Sequence, residues 1–331
     1  MIKVLVTGAS GCIGQGVLGY LSKNTDYELF GLVRRPIKNL IKGVTYLICD
    51  LTDYESLDVL IKETGITDIY HFAAAVNNEH KELYEKVNVQ GTINLIEAAK
   101  KNNVKRFFYT SSAAVYGIFK ECPVTEKHPV NPIGYYAKSK AKAEEYIKQL
   151  CEEAKIKGAI IRIPLVLGKG SRHFYTFARK LIKRNLFPIM GKRNHKIGTI
   201  HAYDVARAIL VATENSNNKI EIYNVSSYDA EFEELIRKIE LIAFNKQRFK
   251  LRLPYTILLF SAIIFEKISR IINPHREPLF NREYAQMIGK CWTLSNEKIM
   301  KIGYKPMMSL EDMIKDSERD YINIKKGKRK K

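Results

Sequence analysis

A chain of 331 residues with 46% apolar and 27% charged side chains can bury a sizeable core without disulfide or metal staples, and it falls outside the disordered, collagen-like and coiled-coil classes. Charge is the unusual feature: 55 Lys and Arg against 35 Asp and Glu leave +20, which nucleic acid, a membrane surface or an anionic substrate would each explain. The excess is uneven, with +3 in residues 1–150 and +17 in 151–331; the stretch 155–207 holds +12 and the run Lys325 to Lys331 holds +6.

The first half alternates strand and helix. Short β-rich runs stand at 2–6, 28–33, 44–49, 68–73 and 104–110, and helical patterns lie between or after them at 13–23, 53–64, 82–102 and 136–154. Strands separated by single helices predict βαβ units, and so an α/β fold with a doubly wound parallel sheet covered on both faces. Ala159–Ile163 reads as a sixth strand, and 220–225 as a seventh after a helix at about 203–214. The rest, 169–198 and 228–324, reads as a smaller, mostly helical C-terminal region placed over the carboxyl ends of the strands, where open α/β sheets bind ligands. The boundaries expected are 1–168 for the first domain, with 199–227 returning to it, and 325–331 for a disordered basic tail.

Five scattered cysteines and seven scattered histidines contain neither a CxxC pair nor HExxH spacing, so no disulfide framework, zinc site or other metal site is expected. Val4-Leu5-Val6 begins at once and leaves no room for a signal peptide, which places the chain in a reducing cytoplasmic interior. The apolar run Leu253 to Phe265 is too short to span a bilayer. It reads as a buried or substrate-lining helix, or alternatively as a peripheral contact on the inner face of a membrane, helped by the basic tail.

The first strand runs into Thr7-Gly8-Ala9-Ser10-Gly11-Cys12-Ile13-Gly14 and then a helix. Gly8 permits a tight turn, Gly11 lets backbone amides approach a pyrophosphate at the helix N-terminus, and Gly14 lets the helix pack close to the strand. This is the Rossmann-type dinucleotide loop, spaced GxxGxxG. The second strand ends in Arg34-Arg35 with no acid, which favours the 2′-phosphate of NADP(H) over the free ribose of NAD(H), though NAD(H) stays open. Asp50 ends the third strand and is a candidate acceptor for the adenine amino group, while Thr52 and Glu55 have the spacing of a helix capping box.

Three YxxxK spacings occur: Tyr116/Lys120, Tyr136/Lys140 and Tyr321/Lys325. Only Tyr136/Lys140 opens a sound helix, where the two side chains share a face and the ammonium would lower the phenol's pKa towards the working range. With the glycine loop, His71 to Ala75, Val87 to Thr92, Thr110 to Gly117, Arg162 to Gly168, Ile200 to Ala206 and Gly303 to Pro306 in order, the chain resembles the extended short-chain dehydrogenase/reductases, the NAD-dependent epimerase/dehydratase family, over nearly its whole length.

Carried over position by position, the resemblance implies that Tyr136 exchanges a proton with the substrate oxygen, Ser112 hydrogen-bonds that oxygen, Lys140 holds the nicotinamide ribose and tunes Tyr136, and Asn88 helps order the site. Ala73, Ala74 and Ala75 would line the cofactor, with Ser10, Cys12 and Ile13 of the loop, Leu51 beside Asp50, and Ile163 and Val166 at the end of the sixth strand. The same resemblance leaves a homodimer through 82–102 and 136–154 open. Nucleic acid is set aside, because no RNP, KH or zinc-finger pattern accompanies the charge.

Two substrate classes compete. The +12 stretch suits a nucleotide-sugar pyrophosphate, with Arg172, Arg179, Lys192 and Arg193 as candidates, but Ile197 stands where a UDP-sugar epimerase carries an arginine. Leu253-Pro254 with its apolar run, Glu277-Pro278-Leu279 and Arg34-Arg35 look more like the branch of 3β-hydroxysteroid dehydrogenases and dihydroflavonol reductases. The reading preferred on the sequence is an NAD(P)-dependent oxidoreductase of a bulky secondary alcohol or ketone; the alternative is a nucleotide-sugar epimerase or 4-ketoreductase, and a non-catalytic NAD(P)-binding regulator comes third.

Overall fold

The computed structural model describes residues 1–76, 80–171, 173–187, 189–191, 194–215, 219–278 and 280–329. In chain order the strands are β1 (Lys3–Thr7), β2 (Glu28–Val33), β3 (Val44–Ile48), β4 (Asp68–His71), β5 (Arg106–Ser112), β6 (Lys157–Ile163), β7 (Leu165–Val166), β8 (Ile189–Met190), β9 (Lys196–Ile200), β10 (Ile220–Asn224), β11 (Tyr228–Glu231) and β12 (Arg252–Leu253). The helices are α1 (Cys12–Asn24), α2 (Tyr54–Thr64), α3 (Lys81–Tyr84), α4 (Gly91–Lys101), α5 (Tyr135–Glu153), α6 (His173–Lys183), α7 (Ala202–Glu214), α8 (Phe232–Phe244), α9 (Tyr255–Ile272), α10 (Arg282–Gly289), α11 (Glu297–Met300) and α12 (Leu310–Arg329).

Seven strands form one parallel sheet in the order β3-β2-β1-β4-β5-β6-β10. Alternation along β1 shows how its residues are divided between the two faces. Val4 and Val6 pack with Val17, Leu18, Val205 and Ile209 of α1 and α7, whereas Leu5 packs with Leu57, Leu95 and Ile147 of α2, α4 and α5. Each of these fully buried aliphatic side chains contributes about 1.5–3 kcal/mol. Strand order reverses between β1 and β4, so the carboxyl ends of β1, β4, β5 and β6 open onto one crevice.

A second core lies beyond those ends. Tyr116, Tyr175, Leu235, Ile236, Trp292 and Ile314 belong to it, and the rings of Phe119 and Trp292 stack at 3.9 Å. The small sheet β11-β9-β7 ties it to the parallel sheet, with Leu165 and Val166 registered on Thr199 and Ile200 just after β6.

Several expectations need correction. The helix foreseen at 82–102 is not uniform: α3 and α4 flank a π-helical turn over Glu85–Gln90. The cap of α2 is Asp53, which accepts from the Ser56 amide at 3.1 Å and its hydroxyl at 2.6 Å, not the Thr52/Glu55 box; the helix begins at Tyr54, one residue later than that box requires. Cys122 and Cys291 form a disulfide with Cα atoms 6.1 Å apart, although 169 residues separate them. Spacing carried no sign of it, because the pairing is set by a tertiary bridge of Val124 to Leu294 and the hydrogen bond from the Val124 amide to the Thr293 carbonyl. α12 runs on to Arg329, as Lys and Arg, good helix formers that suit a helix C-terminus, allow; Lys330 and Lys331 of the basic run lie outside the described residues. Among the described residues no helix is long and apolar enough to cross a membrane.

Candidate active site

The glycine loop needs its glycines. Gly8 has φ +66°, and a Cβ there would lie 2.8 Å from the Ala73 amide nitrogen; a Cβ on Gly14 would lie 2.3 Å from the Gly8 carbonyl oxygen. Gly11 caps α1 with no side-chain hydrogen bond, and the first turn carries no acid. Ser10, Cys12 and Ile13 therefore belong to an open, positively polarised helix N-terminus of the kind that binds a pyrophosphate. Gly170, at φ +83°, brings a second loop over it, its Cβ position 3.0 Å from the Cys12 Cα.

The wall opposite is built through hydroxyls and an amide. Thr7 Oγ1 accepts from the Phe72 and Ala73 amides, both at 3.2 Å, and shares a 2.7 Å hydrogen bond with His71 Nδ1. Burial pushes His71 down to about 3, with the nearby charge of Lys140 adding to the effect, so this ring is neutral. Asn88 stands in the π-helical turn. Its Oδ1 accepts from the Ala75 amide at 2.7 Å, and its Nδ2 donates to the Ala75 carbonyl at 3.0 Å and to Ser139 Oγ at 2.9 Å. One side chain thus clamps the Ala73–Ala75 segment to α5, and Ser139 Oγ in turn donates to the Tyr136 carbonyl at 2.7 Å.

Ser112 ends β5, paired in register with Ile163 at the end of β6, and its Oγ accepts from the Ala114 amide at 3.2 Å. Tyr136 lies in the first turn of α5. Burial pushes its phenol up to about 12; a hydrogen bond with the Ser112 side chain works against this, while Glu283 and Tyr84 add to it. Lys140, one turn on and buried, has its Nζ 4.0 Å from the centroid of the Tyr109 ring. Burial brings Lys140 down to about 7, opposed by the Glu144 carboxylate. The lowering of Tyr136 foreseen from its spacing to Lys140 is therefore not the balance of forces in this protein, where desolvation dominates. Ser112 and Tyr136 meet through a side-chain hydrogen bond, and Lys140 stands one turn further along α5 with its ammonium over Tyr109.

Two acids here have roles that the sequence did not assign, although Glu277 stands in the Glu277-Pro278-Leu279 pattern. Glu277 Oε2 accepts from the Tyr135 and Tyr136 amides at 2.5 and 3.3 Å, capping α5 from a distant segment, and Gly134 makes room for it, since a Cβ there would lie 2.3 Å from Glu277 Oε1. Glu283 lies near enough to Tyr136 to raise the phenol's pKa, its own carboxyl pushed up to about 8 by burial, with Glu277 and Glu266 adding.

At the adenosine end Arg34 and Arg35 are exposed, and Arg34 lies near enough to Asp50 to help lower its pKa, after the hydrogen bond from the Thr52 amide to Asp50 Oδ1 at 2.9 Å. Leu51 is buried beside it. Arg179 is corrected as a ligand candidate: its guanidinium forms two 2.7 Å hydrogen bonds to Glu318 and lies over the Tyr321 ring. Arg172, Lys192, Arg193 and Leu279 lie outside the described residues. Ile197 is buried and bridges to Trp292.

The cradle suits a dinucleotide: glycines that exclude a Cβ, a helix N-terminus with no side-chain cap, and a polar cluster at the neighbouring strand ends. Residues 4–226 match the NAD dependent epimerase/dehydratase family, and the chain belongs to it. It is an NAD(P)-dependent enzyme of the short-chain dehydrogenase/reductase superfamily. An N-acetyl-alpha-D-glucosaminyl-diphospho-ditrans,octacis-undecaprenol 4-epimerase of Escherichia coli O157:H7 is 30% identical over 284 residues, 81% of this chain and 80% of that one. A decarboxylating sterol-4-alpha-carboxylate 3-dehydrogenase of Dictyostelium discoideum is 26% identical over 328 residues, 92% of this chain and 96% of that one. Among solved structures, a UDP-glucuronic acid 4-epimerase from Bacillus cereus in complex with NAD superposes with TM-score 0.74 at 22% identity, covering 98% of this chain and 99% of the other.

Proposed function

We propose that the enzyme is a 4-epimerase of a sugar carried on a diphosphate, using a nicotinamide dinucleotide that it retains through the cycle. This reverses the order of the two readings given by the sequence: the relatives favour the epimerase over a stand-alone alcohol or ketone reductase. What supports the proposal is the hydrogen bond of Tyr136 with Ser112 and the buried Lys140 one turn on along α5, in a chain 30% identical to a diphospho-sugar 4-epimerase.

The residues that would hold the dinucleotide are Gly8 to Gly14 at the pyrophosphate, Ala73–Ala75 along its length, Asp50 and Arg34 at the adenosine, and Lys140 at the nicotinamide ribose. When bound, it supplies the acceptor and donor of hydride at the sugar carbon. In its ionised form, which burial disfavours, Tyr136 takes the proton of the sugar hydroxyl as the carbon is oxidised to the ketone, and the phenol so formed gives the proton back as the carbon is reduced from the other face. Ser112 holds that oxygen, and Asn88 keeps the cofactor wall and α5 in register. Arg34-Arg35 favours NADP, whereas the similar structure named above holds NAD.

Purified enzyme incubated with a UDP-hexose and no added reductant is expected to form the C4 epimer, and mass spectrometry of the released dinucleotide to identify it. Turnover only on addition of NADPH, with net ketone reduction, would restore the reductase reading.

A further inference from the structure

The helix α9 is apolar on two opposite faces. One face, with Leu258 and Ala262 buried, packs on α10, so closely that a Cβ at Gly289 would lie 2.5 Å from the Tyr255 ring. The other face is left exposed among the described residues: Phe260, Ile268, Ile271 and Ile272 are 66, 50, 82 and 78% exposed, and Ile257 and Ile264 are exposed on the same stripe. Positions 257, 260, 264, 268 and 271 recur at three and four residues, so they form one ridge along a helix of 18 residues, about 27 Å long. Monomeric soluble proteins rarely leave a continuous apolar strip of that extent in water.

The ridge continues into the segment before the helix, where Phe249 and Leu251 are exposed on a backbone that is held in place. Arg248 NH1 donates to the carbonyls of Ile182 and Lys183 at 3.3 and 3.1 Å, and β12 pairs with β8. These apolar side chains are presented outward by a fixed scaffold.

Charge identifies what covers the ridge. Lys183, Arg184 and Lys246 at one end and Lys267 on the helix itself are exposed, and no ion pair joins them to an acid among the described residues. The one acid of α9, Glu266, is buried and satisfied by Arg270 and Arg282. An apolar ridge with a cationic border is complementary to an anionic lipid surface, and the exposed acid described past its end, Glu82, is paired with His275. It is poorly suited to a second copy of a chain that itself carries +20. Because no helix among the described residues is long and apolar enough to cross a membrane, α9 would lie along the surface.

We propose that α9 and the loop before it form a peripheral contact with an anionic lipid bilayer, apolar ridge among the acyl-chain boundary and basic border on the headgroups. The contact stands one helix away from the chemistry. Glu266 of α9 is ion-paired to Arg282, the first residue of α10, and the next residue, Glu283, lies near enough to Tyr136 for its charge to raise the phenol's pKa. The site would therefore open near the membrane, where a sugar diphosphate attached to a polyprenol is presented; that last consequence rests on the epimerase reading, whereas the contact itself does not.

Flotation of the full chain with phosphatidylcholine vesicles, with and without phosphatidylglycerol, tests the contact. Binding is expected only when the anionic lipid is present. The triple variant Phe260→Ser/Ile264→Ser/Ile271→Ser, checked for unchanged melting temperature, is expected to bind at least about tenfold more weakly and to epimerise a soluble UDP-sugar as before. Lys183→Glu/Lys246→Glu/Lys267→Glu is expected to weaken binding most at low salt. Failure of the wild type to float with anionic vesicles, or undiminished flotation of the triple variant, would overturn the proposal. So would a homodimer in light scattering that the triple variant dissociates, since a second copy would then be the cover. Loss of epimerase activity in the wild type would strike the functional reading alone and leave the flotation result to stand.

Discussion

Lys140 is buried, with its pKa pushed down to about 7, so the fold carries a cost for it whenever the pH is low enough to keep it protonated. The unfolded chain holds that proton up to the ordinary lysine value near 10.4, so the folded state binds fewer protons between about 7 and 10.4 and stability rises with pH across that window. Lys140→Met is therefore expected to raise the melting temperature more at pH 6 than at pH 10 while abolishing turnover, and equal melting at both pH values would contradict the assignment. Tyr136→Phe removes the proton carrier and leaves the ring packing against Tyr84, so kcat should fall by about 10²–10⁴ with the melting temperature unchanged. The fully buried Arg162–Glu144 pair, two hydrogen bonds of 3.0 and 2.5 Å, accounts for one charge of the basic stretch without any ligand. At this scale the sequence displayed Ser112, Tyr136, Lys140 and Asn88 because each stands in a local motif. The capping role of Glu277 and the place of Glu283 were hidden because they arise from a C-terminal segment folding back over α5, and Arg179 was misread because its partner Glu318 is far away in the chain.

Among elements, the glycine loop and α1 were legible, since a strand, three spaced glycines and a helix follow one another without interruption. Their packing leaves no space: Gly14→Ala would place a methyl against the Gly8 carbonyl oxygen, at 2.3 Å before relaxation. Overpacking of this kind costs about 1–3 kcal/mol, and the variant is expected to melt lower and to lose bound dinucleotide on gel filtration. A variant that melts and retains cofactor like the parent would show that α1 can move away from β1 freely. The π-helical turn over Glu85–Gln90 was not legible, because its residues have ordinary helix periodicity; what shifts the hydrogen-bond pattern there is the tertiary clamp of Asn88 on Ala75 and Ser139. The same reasoning explains α9, whose apolar content was plain in the sequence while its exposure was not, because period alone does not say which of two apolar faces has a partner.

For the whole molecule, the seven-stranded order with its reversal between β1 and β4 follows from the strand–helix alternation, and the cleft follows from that reversal. Pairs such as Arg162–Glu144 and Arg179–Glu318 cancel within the fold, so the +20 is left to cations in excess of the acids, among them the exposed ones that border α9. The central claim is that a single retained dinucleotide removes hydride from a sugar carbon and returns it to that carbon. The most direct measurement supplies a UDP-hexose carrying deuterium at C4 together with excess unlabelled NADH and NADPH in the medium. Complete retention of deuterium at C4 in the epimer, with no consumption of reduced nucleotide, is the result expected. Deuterium appearing in the free nucleotide pool, or stoichiometric oxidation of added NADPH with a single alcohol as product, would contradict the account.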